Sequence, residues 1–119
     1  MLSLCGNTRV YVCQAATDMR SSFEGLSYRV RELVKEDPQS GHLFMFFNRV
    51  RDKAKILYFE RSGYCIWYKE LQRGTFSRPE KREISAAELL CVLEGLEIEG
   101  VRRKKRFALR TGIAGTSVM

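Results

Sequence analysis

Residues 43–71 read Leu43-Phe44-Met45-Phe46-Phe47, Asn48-Arg49-Val50-Arg51-Asp52-Lys53, Ala54-Lys55-Ile56-Leu57-Tyr58-Phe59, Glu60-Arg61-Ser62-Gly63 and Tyr64-Cys65-Ile66-Trp67-Tyr68-Lys69-Glu70-Leu71. Three aromatic and aliphatic runs alternate with two short polar connections, which is the pattern of consecutive antiparallel hairpins. The first run carries no polar residue on either alternating face, so it predicts a strand covered on both sides or at the centre of a sheet. The third run is mixed: Cys65, Trp67, Lys69 and Leu71 share one face, and Tyr64, Ile66 and Tyr68 the other. Hairpin geometry also sorts the charges. Arg49, Arg51 and Lys53 meet at one loop tip, while Arg61 falls at the opposite end of the sheet.

Upstream, residues 9–14 are β-rich and predict a short strand. Residues 18–35 then predict an amphipathic helix, because Met19, Phe23, Leu26, Val30 and Leu33 recur at steps of three and four on one face, with Val34 at its edge. Thr17 or Asp18 is placed to cap it, and Asp37-Pro38-Gln39-Ser40-Gly41 ends it. Downstream, Gly74 and Pro79 mark a loop with an extended piece at Thr75 to Ser77. A second helix starts near Ser85, where Ser85 and Glu88 have capping-box spacing. Leu89, Leu90, Val92, Leu93 and Leu96 form its buried side, and Gly95 is the candidate terminator. The expected architecture is α+β: an antiparallel β-meander of three to five strands, packed with an N-terminal amphipathic helix and a C-terminal helix, followed by a basic tail.

The chain has 119 residues with a net charge of +7, a length that suits one domain. That domain is expected over residues 1–100, with a flexible tail over 101–119. Charge is unevenly placed. The tail carries six bases and no acid, residues 83–99 carry five glutamates and no base, and residues 1–82 are left at +6. The four cysteines have no Cys-x-x-Cys spacing, which speaks against a zinc knuckle or a dithiol motif. With no signal-peptide pattern and no run near ~18 apolar residues, a cytoplasmic protein away from membranes is expected.

Neither G-x-x-x-x-G-K-[ST] nor G-x-G-x-x-G occurs, and no lysine has an acid two positions before it, as many metal-dependent nuclease centres require. The three aspartates, Asp18, Asp37 and Asp52, each sit beside a turn or helix start, where capping accounts for them. A single histidine, His42, excludes metal sites built on several imidazoles. A structural hydrogen bond is its expected role, and a Cys65–His42 nucleophile–base pair has no third orienting residue. The sequence therefore predicts no catalytic residue, no metal and no cofactor.

Basic and aromatic residues carry the functional reading instead. Arg49, Arg51, Lys53, Lys55, Arg61, Lys69 and Arg73 in the hairpin region, and Arg102, Arg103, Lys104, Lys105 and Arg106 in the tail, are the candidate nucleic-acid contacts. Lys and Arg near phosphates release condensed counterions, and Arg forms paired hydrogen bonds to guanine or phosphate. Wet loop tips carry charge for solvation alone, and the sequence leaves both readings open. Trp67 is the candidate for stacking on bases, against core packing as the alternative.

Several motifs occur together in one order: Asp18-Met19-Arg20-Ser21-Ser22-Phe23-Glu24-Gly25-Leu26, Asp37-Pro38, Ser40-Gly41-His42-Leu43-Phe44, Asn48-Arg49, Arg51-Asp52, Lys55-Ile56-Leu57, Gly63-Tyr64, Trp67-Tyr68-Lys69 and Leu93-Glu94-Gly95-Leu96. Over roughly residues 10–98 the chain resembles the small accessory protein of IS 66 family insertion sequences, the TnpB-type, Orf2-like protein. Phe59 and Ile98 stand where that pattern carries aromatic residues, Trp in the first case, and both stay apolar. The resemblance implies a bacterial mobile element and a separate, larger transposase that performs the cutting and joining. It implies no catalytic residue for the small protein. The expected function is a non-catalytic accessory factor that binds DNA, either element ends or any duplex, and helps assemble the transposase there. Its expected partners are that transposase and the element's other accessory proteins. The alternative is a protein adaptor that docks the transposase through the acidic helix bearing Glu88 and Glu94, without touching DNA. Oligomeric state is left open.

Overall fold

The computed structural model describes residues 6–94. The candidate terminator Gly95, Leu96 and the basic tail fall outside these residues. Five strands, β1 (Val10–Val12), β2 (Leu43–Phe47), β3 (Lys53–Glu60), β4 (Gly63–Glu70) and β5 (Glu83–Ile84), form one sheet in the order β4-β3-β2-β1-β5. Helix α1 (Phe23–Arg29) runs directly into a π-helical turn, Val30–Val34, and α2 spans Ala86–Glu94. The fold is α+β with a mostly antiparallel sheet.

The two hairpins form as their spacing predicts, with Met45 opposite Ile56 and Ile56 opposite Trp67. β2 lies in the middle and all five of its residues are buried. Its alternate side chains enter two cores. Leu43, Met45 and Phe47 join Val10, Val12, Ala54, Ile56 and Tyr58 beneath Leu89 and Val92 of α2 and Phe76. Phe44 and Phe46 join Tyr11, Cys13 and Leu57 beneath Leu26, Val30 and Val34 of the first helix. Each fully buried side chain of this size contributes about 1.5–3 kcal/mol, so β2 anchors both layers.

Two features depart from a plain meander. β1 pairs with β2 in parallel, Val10 beside Leu43 and Val12 beside Met45, so α1 is the crossover of a β-α-β unit. The short strand β5, hidden in a polar stretch, then pairs antiparallel to β1 through Val10–Ile84 and Tyr11–Glu83. Thr75 to Ser77 forms no strand; it is a loop pinned by the Phe76 N–H on the Arg51 carbonyl at 2.7 Å.

Helix α1 starts later than its periodicity predicts. Neither Thr17 nor Asp18 caps it. Asp18 instead closes a turn, accepting the Arg20 N–H at 2.9 Å, and Ser22 takes the N-cap position. The buried face is Leu26, Val30 and Val34, with Phe23 at 43% and Leu33 at 53% exposure. The π turn explains the shift, since its i→i+5 bonding widens the turn and rotates Leu33 outward in favour of Val34. The helix crosses the sheet from β4 toward β5. Phe23 stacks on Tyr64, Lys55 reaches the Met19 and Ser21 carbonyls, and Arg82 reaches the Val34 carbonyl.

The α2 start matches its spacing. Ser85 Oγ accepts the Glu88 N–H at 3.1 Å and Glu88 Oε1 accepts the Ser85 N–H at 2.8 Å. Within the helix Leu89 and Val92 are buried, whereas Leu90, expected inside, is exposed. At the end of the first helix Lys35 holds a left-handed conformation, φ 66°, where a side chain is disfavoured and glycine is the usual solution. Lys35→Gly should therefore raise stability by about 0.5–1 kcal/mol, read as a higher urea midpoint with an unchanged slope.

Candidate nucleic-acid interface

Parallel pairing of β1 and β2 places the ends of both strands at the same edge of the molecule. The β1–α1 loop, the β2–β3 connection and the segment after β4 consequently meet there. Backbone bonds join them: Thr17 N–H to the Phe47 carbonyl at 2.9 Å and Leu71 N–H to the Asp52 carbonyl at 2.8 Å. The β2–β3 connection is held by Asn48, whose Nδ2 donates to Asp52 Oδ1 at 2.7 Å and whose Oδ1 accepts the Lys53 N–H at 3.0 Å. Arg51, at φ 63°, makes the sharp turn. This tip is preorganised.

Between the β1–α1 loop, helix α1 and this tip lies an open groove of about 640 Å³. Arg20, Arg29, Arg49 and Lys53 line it, with Asp18 as the one acid among the described lining residues. Asp18 is gripped by Arg20, whose Nε lies 3.1 Å from both carboxylate oxygens and whose Nη2 lies 2.6 Å from Oδ2. These guanidinium bonds, helped by the Arg20 backbone N–H, hold the Asp18 carboxyl down at about 2. Asp52 is likewise lowered, first by the Asn48 amide and then by Lys53. The acids around the groove thus stay ionised and internally engaged. Among the described residues Arg49 has no hydrogen-bond or ion-pair partner.

The candidates from sequence separate into distinct places. Arg49, Arg51 and Lys53 are brought together at the tip, although Lys53 also faces Asp52 at 3.6 Å and Glu70 at 3.9 Å. Lys55 lies on the α1 side of β3, where its Nζ donates to the Met19 and Ser21 carbonyls at 2.8 Å each and sits 5.1 Å from the Tyr68 ring centroid. It therefore fixes the segment that carries Arg20. Lys69 points to the other side and donates to the Leu93 carbonyl at 3.2 Å, at the end of α2. Arg73 lines a small cleft of about 180 Å³ beside Lys69, Thr75 and Leu93. Arg61 occupies the β3–β4 turn at the far end, at φ 59°. Trp67 is half-buried and packs against the α2-side core. Arg102 to Arg106 lie outside the described residues.

Other sequence candidates also find their places. His42 Nδ1 accepts the Arg9 N–H at 3.0 Å, a structural bond, and its ring meets Tyr11 on the α1 side. Cys65 packs on the opposite face, so the two do not pair. Cys13, Cys65 and Cys91 are free thiols. Among the described residues no group of three or more His, Cys, Asp or Glu gathers as a metal cage would require, and no helix is long and apolar enough to cross a membrane. Glu88, the expected docking acid, is already engaged by Ser85 and by Lys81 Nζ at 2.6 Å, which lowers its carboxyl's affinity for protons.

A family model described as IS66 Orf2 like protein matches residues 8–103. The chain belongs to the IS66 Orf2-like family. Two relatives from Sinorhizobium fredii, the uncharacterized proteins y4hO and y4jC, are 36% and 28% identical to it over 101 and 100 residues. These alignments cover 82% and 81% of this chain and 88% and 86% of the relatives. No solved structure matches. Membership in the IS66 Orf2-like family associates the protein with transposition.

Arg20 and Arg29 are the groove residues that sequence reasoning missed in this IS66 Orf2-like protein. Spacing could not find them, because they approach Arg49 only through the parallel β1–β2 pairing. In sequence the Asp18-Met19-Arg20 motif reads as the start of a helix, whereas in the fold it is a turn before α1.

Two measurements check this site. Because the folded Asp18 carboxyl is depressed, its contribution to loop order is present above its ordinary value near 3.8 and is lost as pH falls through about 2. An NMR titration should show that midpoint, and Arg20→Ala should return it toward the ordinary range. Lys55→Met removes two charge-assisted bonds to backbone carbonyls and should cost about 2 kcal/mol in urea unfolding, whereas Arg49→Met should leave stability nearly unchanged.

Proposed function

We propose that this protein is a non-catalytic accessory factor in IS 66 type transposition, and that it binds DNA along the basic groove at the parallel-strand end of its sheet. The observation that carries this reading is the groove itself, where among the described lining residues Arg20, Arg29, Arg49 and Lys53 surround the carboxylate of Asp18, which Arg20 already pairs. Phosphates are the ligand that such a site suits, because each neutralised phosphate releases counterions and the preorganised tip loses little freedom on binding. Arg49 and Arg51 supply donors that no acid among the described residues takes up, and the tail bases Arg102 to Arg106 add a second contact. Held on DNA, the protein would present its remaining surface to the separate transposase and help assemble it at element ends.

The adaptor alternative is weakened by Glu88, since its carboxylate already serves Ser85 and Lys81. Titration of labelled duplex, element end against scrambled sequence, at several salt concentrations separates the two. Binding should weaken linearly in log salt, and Arg49→Ala should reduce the slope by about 0.9 for every sequence. Arg31→Ala, on the exposed far part of the first helix, should leave the slope unchanged. Absence of duplex binding at low salt, with transposase still captured, would replace this reading with the adaptor.

A further inference from the structure

We propose that the α1-side face of edge strand β4 is a stacking platform for unpaired nucleobases, so that the protein holds single-stranded DNA on a surface next to its duplex groove. The inference rests on the DNA-binding reading above and adds a second ligand form to it.

β4 is an outermost strand, and alternation puts Tyr64, Ile66 and Tyr68 on the side of the sheet where α1 packs. The helix begins over Tyr64 and then runs away from β4 toward β1, so Tyr64 and Ile66 are partly covered while the stretch of this face at Tyr68 stays open. Tyr68 is 48% exposed and Phe23 is 43% exposed. The rings are held in fixed relation. Phe23 and Tyr64 stack with centroids 6.4 Å apart and planes 24° from parallel, and Phe59 meets Tyr64 edge-on at 5.1 Å. A ring already fixed loses little entropy when a base stacks on it. Tyr64 is itself covered by Phe23, so the exposed rings are Phe23, seated on Tyr64, and Tyr68, four residues or roughly 13 Å along the strand from Tyr64, which leaves room for bases to stack separately.

Charge flanks the rings in the way a phosphate backbone needs. Lys55 lies 5.1 Å from the Tyr68 centroid, and only two of its three N–H donors are used by the Met19 and Ser21 carbonyls. Met19 also lines the basic groove, so the aromatic face continues from it. At the other end Arg61 has no partner among the described residues. The aromatic row thus bridges two basic ends that the hairpin topology sets apart. A duplex hides the faces of its bases, whereas an unpaired strand offers both π-faces and phosphates, the combination this surface complements. Trp67, the stacking candidate from sequence, cannot serve here because it faces the opposite core.

The test is fluorescence anisotropy in low salt with a labelled oligothymidylate of about 15 nucleotides, within the site sizes of single-strand binders, run beside a duplex. Tyr68→Leu, which keeps apolar bulk and removes the π-face, should weaken oligothymidylate binding about tenfold and leave duplex binding and the unfolding midpoint unchanged. Tyr68→Phe should bind as wild type, and so should Leu90→Ala, an exposed apolar control on α2. Unchanged oligothymidylate binding in both Tyr68→Leu and Phe23→Leu overturns the platform. So does a shift in oligomeric state in those variants without a change in binding, which would assign the face to a second copy. Wild-type protein that binds duplex but not oligothymidylate sinks the platform alone, and failure to bind either sinks the DNA-binding reading with it.

Discussion

The parallel pairing of β1 with β2 is the constraint from which the rest of the molecule follows. Val10, Tyr11 and Val12 align beside Leu43, Phe44 and Met45, which forces the chain between them to cross over one face as α1. β2 then has a neighbour on each edge and a helix layer on each face, so an unbroken apolar run becomes its only stable composition. The same pairing carries the chain leaving β1 to the edge where β2 turns into β3, and the bond from Thr17 N–H to the Phe47 carbonyl fixes it there. A pure meander would place Arg20 and Arg49 on unrelated surfaces. The β-α-β unit makes them two walls of one groove.

Cations in this fold divide into two kinds. Lys55 braces the start of the first helix, and Lys69 meets the end of α2. Arg82 ties the far end of the first helix through the Val34 carbonyl at 2.8 Å and Glu36 at 2.6 Å, with its guanidinium 5.0 Å from the Tyr11 ring centroid. These side chains replace water with protein acceptors and belong to the scaffold. Arg49, Arg51, Arg61 and Arg73 have no such acceptor among the described residues. A count of positive charge treats both kinds alike, whereas the second kind offers all its donors to a polyanion and the first only those left over, such as the third N–H of Lys55.

Much of the scaffold is legible from local pattern. The β2 run, the two hairpins and the Ser85–Glu88 box depend on neighbours close in sequence, and their spacing is sufficient. What escapes depends on partners far apart. β5 is two residues long in a charged stretch and becomes a strand only because β1 offers it an edge. Leu33 fits the periodicity of an ideal helix, and a π turn that no spacing announces rotates it out. Trp67 looks like a ligand in a basic, aromatic hairpin, yet alternation within a sheet packed on both faces directs it into the core, and the same alternation commits two donors of Lys55 to backbone carbonyls. The groove is the extreme case, since Arg20, Arg29 and Arg49 come from three segments and share no local signature.

In the DNA-binding role proposed above, the end of the sheet shared by β1, β2 and the β2–β3 connection is the surface that meets DNA. Backbone amide shifts of isotopically labelled protein, followed as an element-end duplex is added, test it most directly. The perturbed amides should cluster at Ala16 to Arg20, Arg29 and Asn48 to Lys53, with α2 and β5 unaffected. Perturbations centred on α2, or scattered without regard to the sheet's two ends, would contradict it.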